Sequence, residues 1–367
     1  MEGLGLALVT PPTGPIRVAL LSPCYWPEVR RGTERFTRDL ADGLIERGHR
    51  PRLITSHPKP GSTTVEDGLP VRRNRRPPER WLGRLGFEDH LTHWPLGYGS
   101  LRRGGHDIAH ALHHSDALAA ARWSRATGRP SVFSFMGIPR EEGFGHRRLL
   151  GRVMRGAVEG TDAVVVLSRA ASERMQQLLG VEARVIPPGV DTEAFTPGGG
   201  RSEQPTIFCG ADPAEPRKRV ALLVEAFALV RERQPDARLV LSRRPGVDGP
   251  RGAGIEWRDL DRRAALVAAN REAWVHTLPS FGEAFGLVLA EALACGTTVV
   301  GPTRALVDGV GEHFAADDPP ALAAALERAL DRARDPATPA ACRVRGERFS
   351  RRATTDAYAA LYAELGA

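Results

Sequence analysis

Apolar residues along this chain fall into short continuous runs, separated by longer stretches in which they recur every three or four positions. Residues 17–22, RVALLS, form the first run and suit a strand buried on both faces of a parallel sheet. A Pro-bounded loop follows. In RGTERFTRDLADGLIERGH, Phe36, Leu40 and Leu44 then recur at helical spacing, and Gly48 is a C-terminal stop. RLIT is strand-like again, so strand, helix and strand make a βαβ unit. The alternation continues through DIAHAL (107–112), a helix over 117–127, SVFSF (131–135), DAVVVLS (162–168) and a helix around 172–179.

Residues 187–205, PPGVDTEAFTPGGGRSEQP, interrupt this rhythm with Pro and Gly and read as an interdomain linker. The alternation then restarts. TIFCG (206–210) is a strand, Val220, Leu223, Val224, Phe227 and Val230 mark a helix, and ARLVLS is another strand. WVHTLP (274–279) and TTVVG (297–301) bracket the segment FGEAFGLVLAEALACG, and Tyr358, Leu361, Tyr362 and Leu365 give the end of the chain helical spacing. The pattern predicts an α/β protein of two successive Rossmann-like, doubly wound parallel-sheet domains facing across a cleft. In open sheets of this kind ligands sit at the carboxyl ends of the strands.

Composition narrows the class. At 367 residues, 42% apolar and 26% charged, the chain reads as a soluble globular protein long enough for two cores. Cys24, Cys209, Cys295 and Cys342 are scattered without C-x-x-C spacing, which argues for a reducing compartment and against a disulfide framework or a zinc site. The opening MEGLGLALVT has no basic region of the kind that begins a signal peptide, and no segment has the apolar length of a membrane span. A cytoplasmic protein is expected. The net charge of +7 is carried by arginine, since Lys59 and Lys218 are the only lysines. Such charge suits nucleic acid, an anionic membrane or a phosphorylated substrate. The few aromatics do not interleave with the arginines as a stacking platform would, which speaks against nucleic acid.

Three groups of residues could carry chemistry. Strand TIFCG leads through ADPAEP to Arg217, Lys218 and Arg219 at the start of the Val220 helix. Cations there oppose the helix dipole, a conflict that a bound anion would remove, with helix-terminal N–H groups as further donors; a solvated basic turn is the plainer alternative. Arg31-Gly32-Thr33-Glu34 stands at the first strand-to-helix crossing, where a glycine lets a diphosphate approach backbone N–H groups, although without G-x-G-x-x-G spacing the residues taken alone favour a mere turn glycine. The third group is Glu283 and Glu291, eight apart in an otherwise apolar stretch. An unpaired carboxylate on a buried helix costs several kcal/mol, so Glu291 either reaches water along an exposed edge or meets a polar ligand. On one helix the pair would be separated by roughly 12 Å of rise. Glycosidase carboxyl pairs stand about 5–9.5 Å apart, which disfavours a hydrolytic dyad. The longer separation suits an extended ligand with hydroxyls at both ends and phosphates between, the shape of a nucleotide sugar.

PSFGEAFGLVLAEALACGTTVVG resembles the E-x7-E segment of the retaining glycosyltransferases of family 4, which have the GT-B fold. RGTERFTRDLADGLIERGH resembles that family's G-G-x-E loop and helix, VIPPGVDTEAFTP its interdomain connection, and the strand leading to KRVALLVEAF its phosphate-binding region. The likeness runs in order over nearly the whole chain. It implies an acceptor-binding domain over 1–190, a nucleotide-sugar-binding domain over 191–348, and a helix over 349–367 crossing back to the first domain. It implies sugar transfer from a UDP- or GDP-sugar, with retained anomeric configuration, to a small-molecule, carrier-bound, glycan or lipid acceptor. By resemblance Glu283 contacts the transferred sugar and Glu291 the ribose. Phe285, Gly286 and Leu287 offer backbone N–H groups, and Lys218, on the lysine of the family's K-G pair, neutralises the diphosphate with Gly32 opposite. Arg217 joins them as a phosphate cation. The family's chemistry needs no metal or cofactor, and none is expected here.

The departures from the family pattern are specific. Arg31 replaces the first glycine of G-G-x-E, and Ala211 replaces an arginine, for which Arg217 or Arg219 could substitute. Met136 stands where many members carry a histidine near the reaction centre, and it is assigned to the acceptor side together with His110. Because of Met136 and Ala211, a sugar-nucleotide epimerase or a catalytically weakened binding subunit on the same fold is the alternative reading. His110, His113 and His114 are read as solvated loop or strand-end residues in preference to metal ligands, for want of a fourth ligand. RRNRRPPERWLGR (72–84) is read as a solvated, variable loop, with peripheral membrane contact as the alternative.

Overall fold

The computed structural model describes residues 14–29, 32–79, 90–141, 148–243 and 249–367, with side chains apart from those of residues 148 and 149. It divides into two compact units: one runs to Gly189 and resumes over Arg351–Ala367, and the other comprises Val190–Ser350.

The first unit is built on eight strands: β1 (Arg17–Leu21), β2 (Arg50–His57), β3 (Ser62–Glu66), β4 (Leu69–Arg75), β5 (Ile108–Ala111), β6 (Ser131–Phe135), β7 (Ala163–Val166) and β8 (Arg184–Val185). Their order is β3-β4-β2-β1-β5-β6-β7-β8, and every neighbouring pair is parallel except β3 and β4. β1 is buried on both faces, so its side chains divide by alternation. Val18 and Leu20 face a core shared with Phe36, Leu40 and Leu44 of the helix Gly32–Glu46 and with Tyr358, Leu361 and Tyr362 of the helix Arg351–Glu364. Ala19 and Leu21 face a second core, filled from the helices His93–Arg103, His114–Thr127 and Arg148–Gly160. A continuous apolar run is what double burial demands.

The hairpin β3–β4 escapes the hydrophobic pattern, because STTVE and LPVRRNR are mostly polar. Its signal is Asp67-Gly68, a two-residue turn with both φ angles positive (45° and 81°), as right-handed strand twist requires. The hairpin corrects the loop reading for residues 72–75, while residues 80–84 of that stretch lie outside the described residues. Arg72 and Arg73 lie in β4. Arg73 is buried against Glu66, Arg72 donates to Thr63, and Arg76 pairs with Glu28. These arginines are held by internal partners; Trp81 and Leu82 of the same stretch lie outside the described residues.

The last helix is part of this unit. A Cβ on Gly43 would lie 2.1 Å from Thr355 Oγ1, so the absence of a side chain at 43 lets the two helices approach. Arg47–Asp356 and Arg351–Glu46 ion pairs flank the contact. His110 on β5 is wholly buried beneath it, its Nδ1 2.7 Å from the Tyr362 hydroxyl and its Nε2 2.7 Å from Ser134 Oγ.

The second unit contains β9 (Thr206–Cys209), β10 (Arg238–Ser242), β11 (Ile255–Arg258), β12 (Val275–Thr277), β13 (Thr298–Gly301) and β14 (Gly311–His313) in the order β11-β10-β9-β12-β13-β14, all parallel. This is the strand order of dinucleotide-binding sheets, and it reverses between β9 and β12. The loops after those two strands therefore emerge side by side. In the first unit the reversal lies between β1 and β5. Among the described residues no helix is long and apolar enough to cross a membrane.

Enclosed histidines make the fold sensitive to acid. Burial pushes His110 and His276 down to about 3, and burial aided by Arg52 and Arg17 pushes His106 down to about 4. Each is neutral in the folded protein but protonates near 6.5 when unfolded, so the unfolded chain binds more protons as pH falls below that value. The stabilising contribution is complete above about pH 6.5 and is lost on descent toward 3–4. Urea titrations at pH 7, 6 and 5 should show a falling midpoint. His110→Gln should flatten the dependence by up to about 1.4 kcal/mol per pH unit. Equal stability at pH 7 and 5 would contradict this account.

Candidate functional site

The switch between β9 and β12 brings two loops together. After β9 the chain passes Gly210 and the buried Ala211, closes an Asx turn in which Asp212 Oδ1 accepts from Ala214 N at 3.0 Å, and makes a single 3-10 turn over Pro216–Lys218. Arg219 follows with left-handed backbone (φ 51°, ψ 42°), and the helix Val220–Arg233 begins. After β12 comes the loop Leu278–Gly286. Phe281 N donates to Arg217 O at 2.9 Å, joining the two loops through their main chains.

Side chains complete the junction. Lys218 Nζ donates to Glu283 Oε2 at 2.8 Å, and Arg217 Nη1 stands 3.6 Å from the same oxygen while its other terminal nitrogen pairs with Glu215 at 3.1 Å. Lys218 and Glu283 are only 15% and 14% exposed, whereas Arg217 is 41% exposed. The pair is thus shielded, with a solvent-facing cation beside it. Arg219 turns the other way: its Nε donates to Pro279 O at 2.6 Å and its Nη1 to Ala316 O at 2.7 Å. Of the two arginines considered as replacements for the cation absent at Ala211, Arg217 is the one with exposed guanidinium.

Phe285, Gly286 and Leu287 follow on the same loop. Phe285 is buried edge-on against Phe349 (ring centroids 5.1 Å apart), and Thr303 Oγ1 donates to its carbonyl at 2.6 Å. Gly286 has φ 93°, a conformation that selects glycine, although a Cβ there would make only ordinary contacts. It caps the helix Leu287–Ala294, whose first N–H groups have no carbonyl four residues back within the helix to bond, as at any helix start. Glu283 therefore lies in the loop ahead of this helix and Glu291 in its second turn. The calculation of a 12 Å rise along one helix does not apply to them. Glu291 is fully buried, which excludes the exposed-edge alternative.

The remaining sequence candidates lie in the first unit. Gly32 is the exposed first residue of its helix, with open space where a Cβ would stand; Arg31 is outside the described residues. Glu34, two residues on, is buried and accepts from Cys24 Sγ at 3.2 Å. Met136 is half-buried against the core. His110 has both ring nitrogens engaged inside the core of the first unit, between its sheet and the last helix.

His114 is nearly enclosed and His113 half-buried, so neither is the fully solvated residue expected. His113 Nδ1 accepts from Ser115 N at 3.4 Å as the cap of the helix His114–Thr127, and its ring lies 3.9 Å from that of His114, which is nearly enclosed. Burial, with His114, His90 and His93 around it, drives His113 well below its ordinary value, and burial drives His114 down to about 4. Among the described residues no three His, Cys, Asp or Glu side chains gather as metal ligands. What the sequence reading missed is the inward commitment of Arg219. The available signal was an arginine directly after Lys218, where the family's K-G pair has glycine.

Known proteins align with both units. The family model described as Glycosyltransferase Family 4 matches residues 30–194, and that described as Glycosyl transferases group 1 matches residues 204–332. The phosphatidyl-myo-inositol mannosyltransferase of Mycobacterium tuberculosis is 27% identical over 345 residues, covering 84% of this chain and 85% of the relative. The D-inositol 3-phosphate glycosyltransferase of Paenarthrobacter aurescens is 27% identical over 323 residues, covering 76% and 79%. Among solved structures, sucrose-phosphate synthase from Thermosynechococcus elongatus superposes with a TM-score of 0.77 at 19% identity, covering 95% of this chain and 99% of that one. Anabaena HepE in complex with UDP and glucose superposes at 0.70 with 17% identity, covering 95% and 99%. These structures establish the fold, and the two family models together span most of the chain. The protein belongs to glycosyltransferase family 4 and is a glycosyltransferase of the GT-B fold.

Proposed function

We propose that this glycosyltransferase moves a sugar from a nucleoside-diphosphate donor, held by the second unit, to a hydroxyl of an acceptor bound by the first, with retention of anomeric configuration. The observation that carries the proposal is the Lys218–Glu283 contact at the β9/β12 reversal, with Arg217 beside it. A shielded cation and carboxylate at the carboxyl end of a doubly wound sheet suit a ligand that presents phosphate next to sugar hydroxyls. Lys218 and Arg217 take the diphosphate. Glu283 accepts from the sugar hydroxyls, and the N–H groups around Phe285, Gly286 and Leu287 add donors. Glu291 takes the ribose hydroxyls, which requires the side chains enclosing it to yield when donor binds. Gly32 belongs to the same reading, as a site of close approach for phosphate.

Retention fits the electrostatics. Glu283 is already engaged by Lys218 and Arg217, contacts that orient it toward sugar hydroxyls. In same-face substitution the bond from the anomeric carbon to the leaving phosphate oxygen breaks as the acceptor oxygen bonds to that carbon on the same face. The acceptor's hydroxyl proton passes to the departing phosphate oxygen. The groups that accelerate this step are those that stabilise the charge growing on the diphosphate. The reading needs neither metal nor cofactor. The two relatives above are named for acceptors that contain inositol, so myo-inositol, inositol 3-phosphate and phosphatidylinositol vesicles are the first acceptors to try. The lipid arm also tests peripheral membrane contact.

Met136 and Ala211 favour a second reading, in which the scaffold binds or epimerises a sugar nucleotide without transferring it. Incubation with radiolabelled donors and the acceptor panel separates the two; donor binding without product on any acceptor favours the second.

Three outcomes are expected. A thermal-shift screen of UDP, GDP and their sugars should reveal one preferred nucleotide, since ligand at about 100 times its Kd adds roughly 2.7 kcal/mol of stability. Lys218→Ala and Glu283→Gln should each lower kcat/KM by about 10²–10³ while circular dichroism stays native; full activity in both rejects the assignment. Glu291→Gln should raise the donor KM about tenfold with a smaller change in kcat, and unaltered kinetics would remove Glu291 from the donor site.

A further inference from the structure

We infer that Arg219 is a positioning residue, which holds the Glu283 loop in place through two main-chain carbonyls and does not act as a phosphate ligand. Among the described residues only Asp67, His90 and Arg219 combine a side chain with a positive φ. Asp and His are among the types enriched in that region, and arginine is not. The backbone strain at 219 therefore calls for a compensating contact, and the side chain makes several.

From the left-handed turn its guanidinium enters the space beneath two loops. Nε donates to Pro279 O (2.6 Å) in the loop after β12, and Nη1 donates to Ala316 O (2.7 Å), with Asp317 Oδ1 at 3.4 Å, in the loop after β14. The guanidinium carbon also lies 5.7 Å from the centre of the Phe314 ring. The side chain is 12% exposed, so the fork is turned into the protein and away from a ligand in solvent. Two residues past Pro279, Phe281 N is held by Arg217 O, and two residues further Glu283 meets Lys218. The loop is thus pinned at alternate positions by three consecutive residues: Arg219 at 279, Arg217 at 281 and Lys218 at 283. The left-handed backbone at 219 sends its side chain to the first of these positions while 217 and 218 serve the other two. A planar fork with several donors can serve two carbonyls at once, which a lysine ammonium at the same place does not reproduce.

The catalytic consequence rests on the proposed role of Glu283; the pinning of the loop does not. Arg219→Gly and Arg219→Lys test both. Glycine tolerates the left-handed conformation, so the fold should survive the first variant. Hydrogen exchange followed by mass spectrometry on peptides covering 278–286 should show protection about tenfold lower in Arg219→Gly, with peptides of β9 and β10 unchanged. With the preferred donor, kcat should fall about 10–100-fold with donor KM altered less than about threefold, and Arg219→Lys should not restore it. Unchanged protection of 278–286 overturns the inference whatever the kinetics. A loss confined to donor KM and rescued by lysine also overturns it, and would make Arg219 a phosphate cation. If the unaltered protein transfers no sugar, the functional proposal fails, while the exchange measurement still decides whether Arg219 pins the loop.

Discussion

Lys218 and Glu283 are 65 residues apart in sequence and meet at 2.8 Å only because the second sheet reverses its winding between β9 and β12. Most of the site's organisation follows from that contact. Withdrawing an ammonium and a carboxylate from water carries a penalty that their attraction roughly offsets, so the pair contributes little net stability. It does confer position. The carboxylate is held in one place, compensated by charge, beside a solvent-facing arginine and ahead of the first N–H groups of the helix Leu287–Ala294. In the proposed reaction each of these groups meets a different part of one ligand, and a loop free to wander would scatter them.

The surrounding loop is built to hold that position. Gly286 supplies a φ of 93° that other residues avoid, Phe285 is packed against Phe349, and Phe281 is tied to the main chain of Arg217. Arg219 fits the same logic. In a chain so rich in arginine, charge alone says little about which residues face a ligand. Arg73 and Arg76 of the first unit are likewise turned to internal partners. The planar, multiply donating guanidinium of these residues serves as a structural connector.

The first unit shows a different use of polar residues. His110, Ser134, Tyr358 and Tyr362 form a hydrogen-bonded cluster between the sheet and the helix Arg351–Glu364, with all four side chains buried. Buried polar groups of this kind are tolerated when mutually satisfied, and they specify one docking of the helix where apolar side chains alone would allow several. His113 and His114 lie past the end of β5, beside the reversal between β1 and β5, and burial keeps their rings neutral.

By itself the sequence determined the two alternating α/β halves, many of their elements, and the family. Apolar runs such as VALL and VVV, and the spacing of Phe36, Leu40 and Leu44, report local burial, which needs no knowledge of partners. The E-x7-E segment with its flanks was enough to place the chain among family 4 glycosyltransferases. Tertiary structure alone decided which polar groups meet. Periodicity is blind to strand order, so it could not pair residue 218 with 283, or residue 110 with 362. It also missed the β3–β4 hairpin, whose strands are mostly polar, and it left Arg219 among the candidate phosphate cations. The direction of a long flexible side chain is set by which carbonyls lie within reach, and those carbonyls come from loops 60 and 97 residues further along the chain.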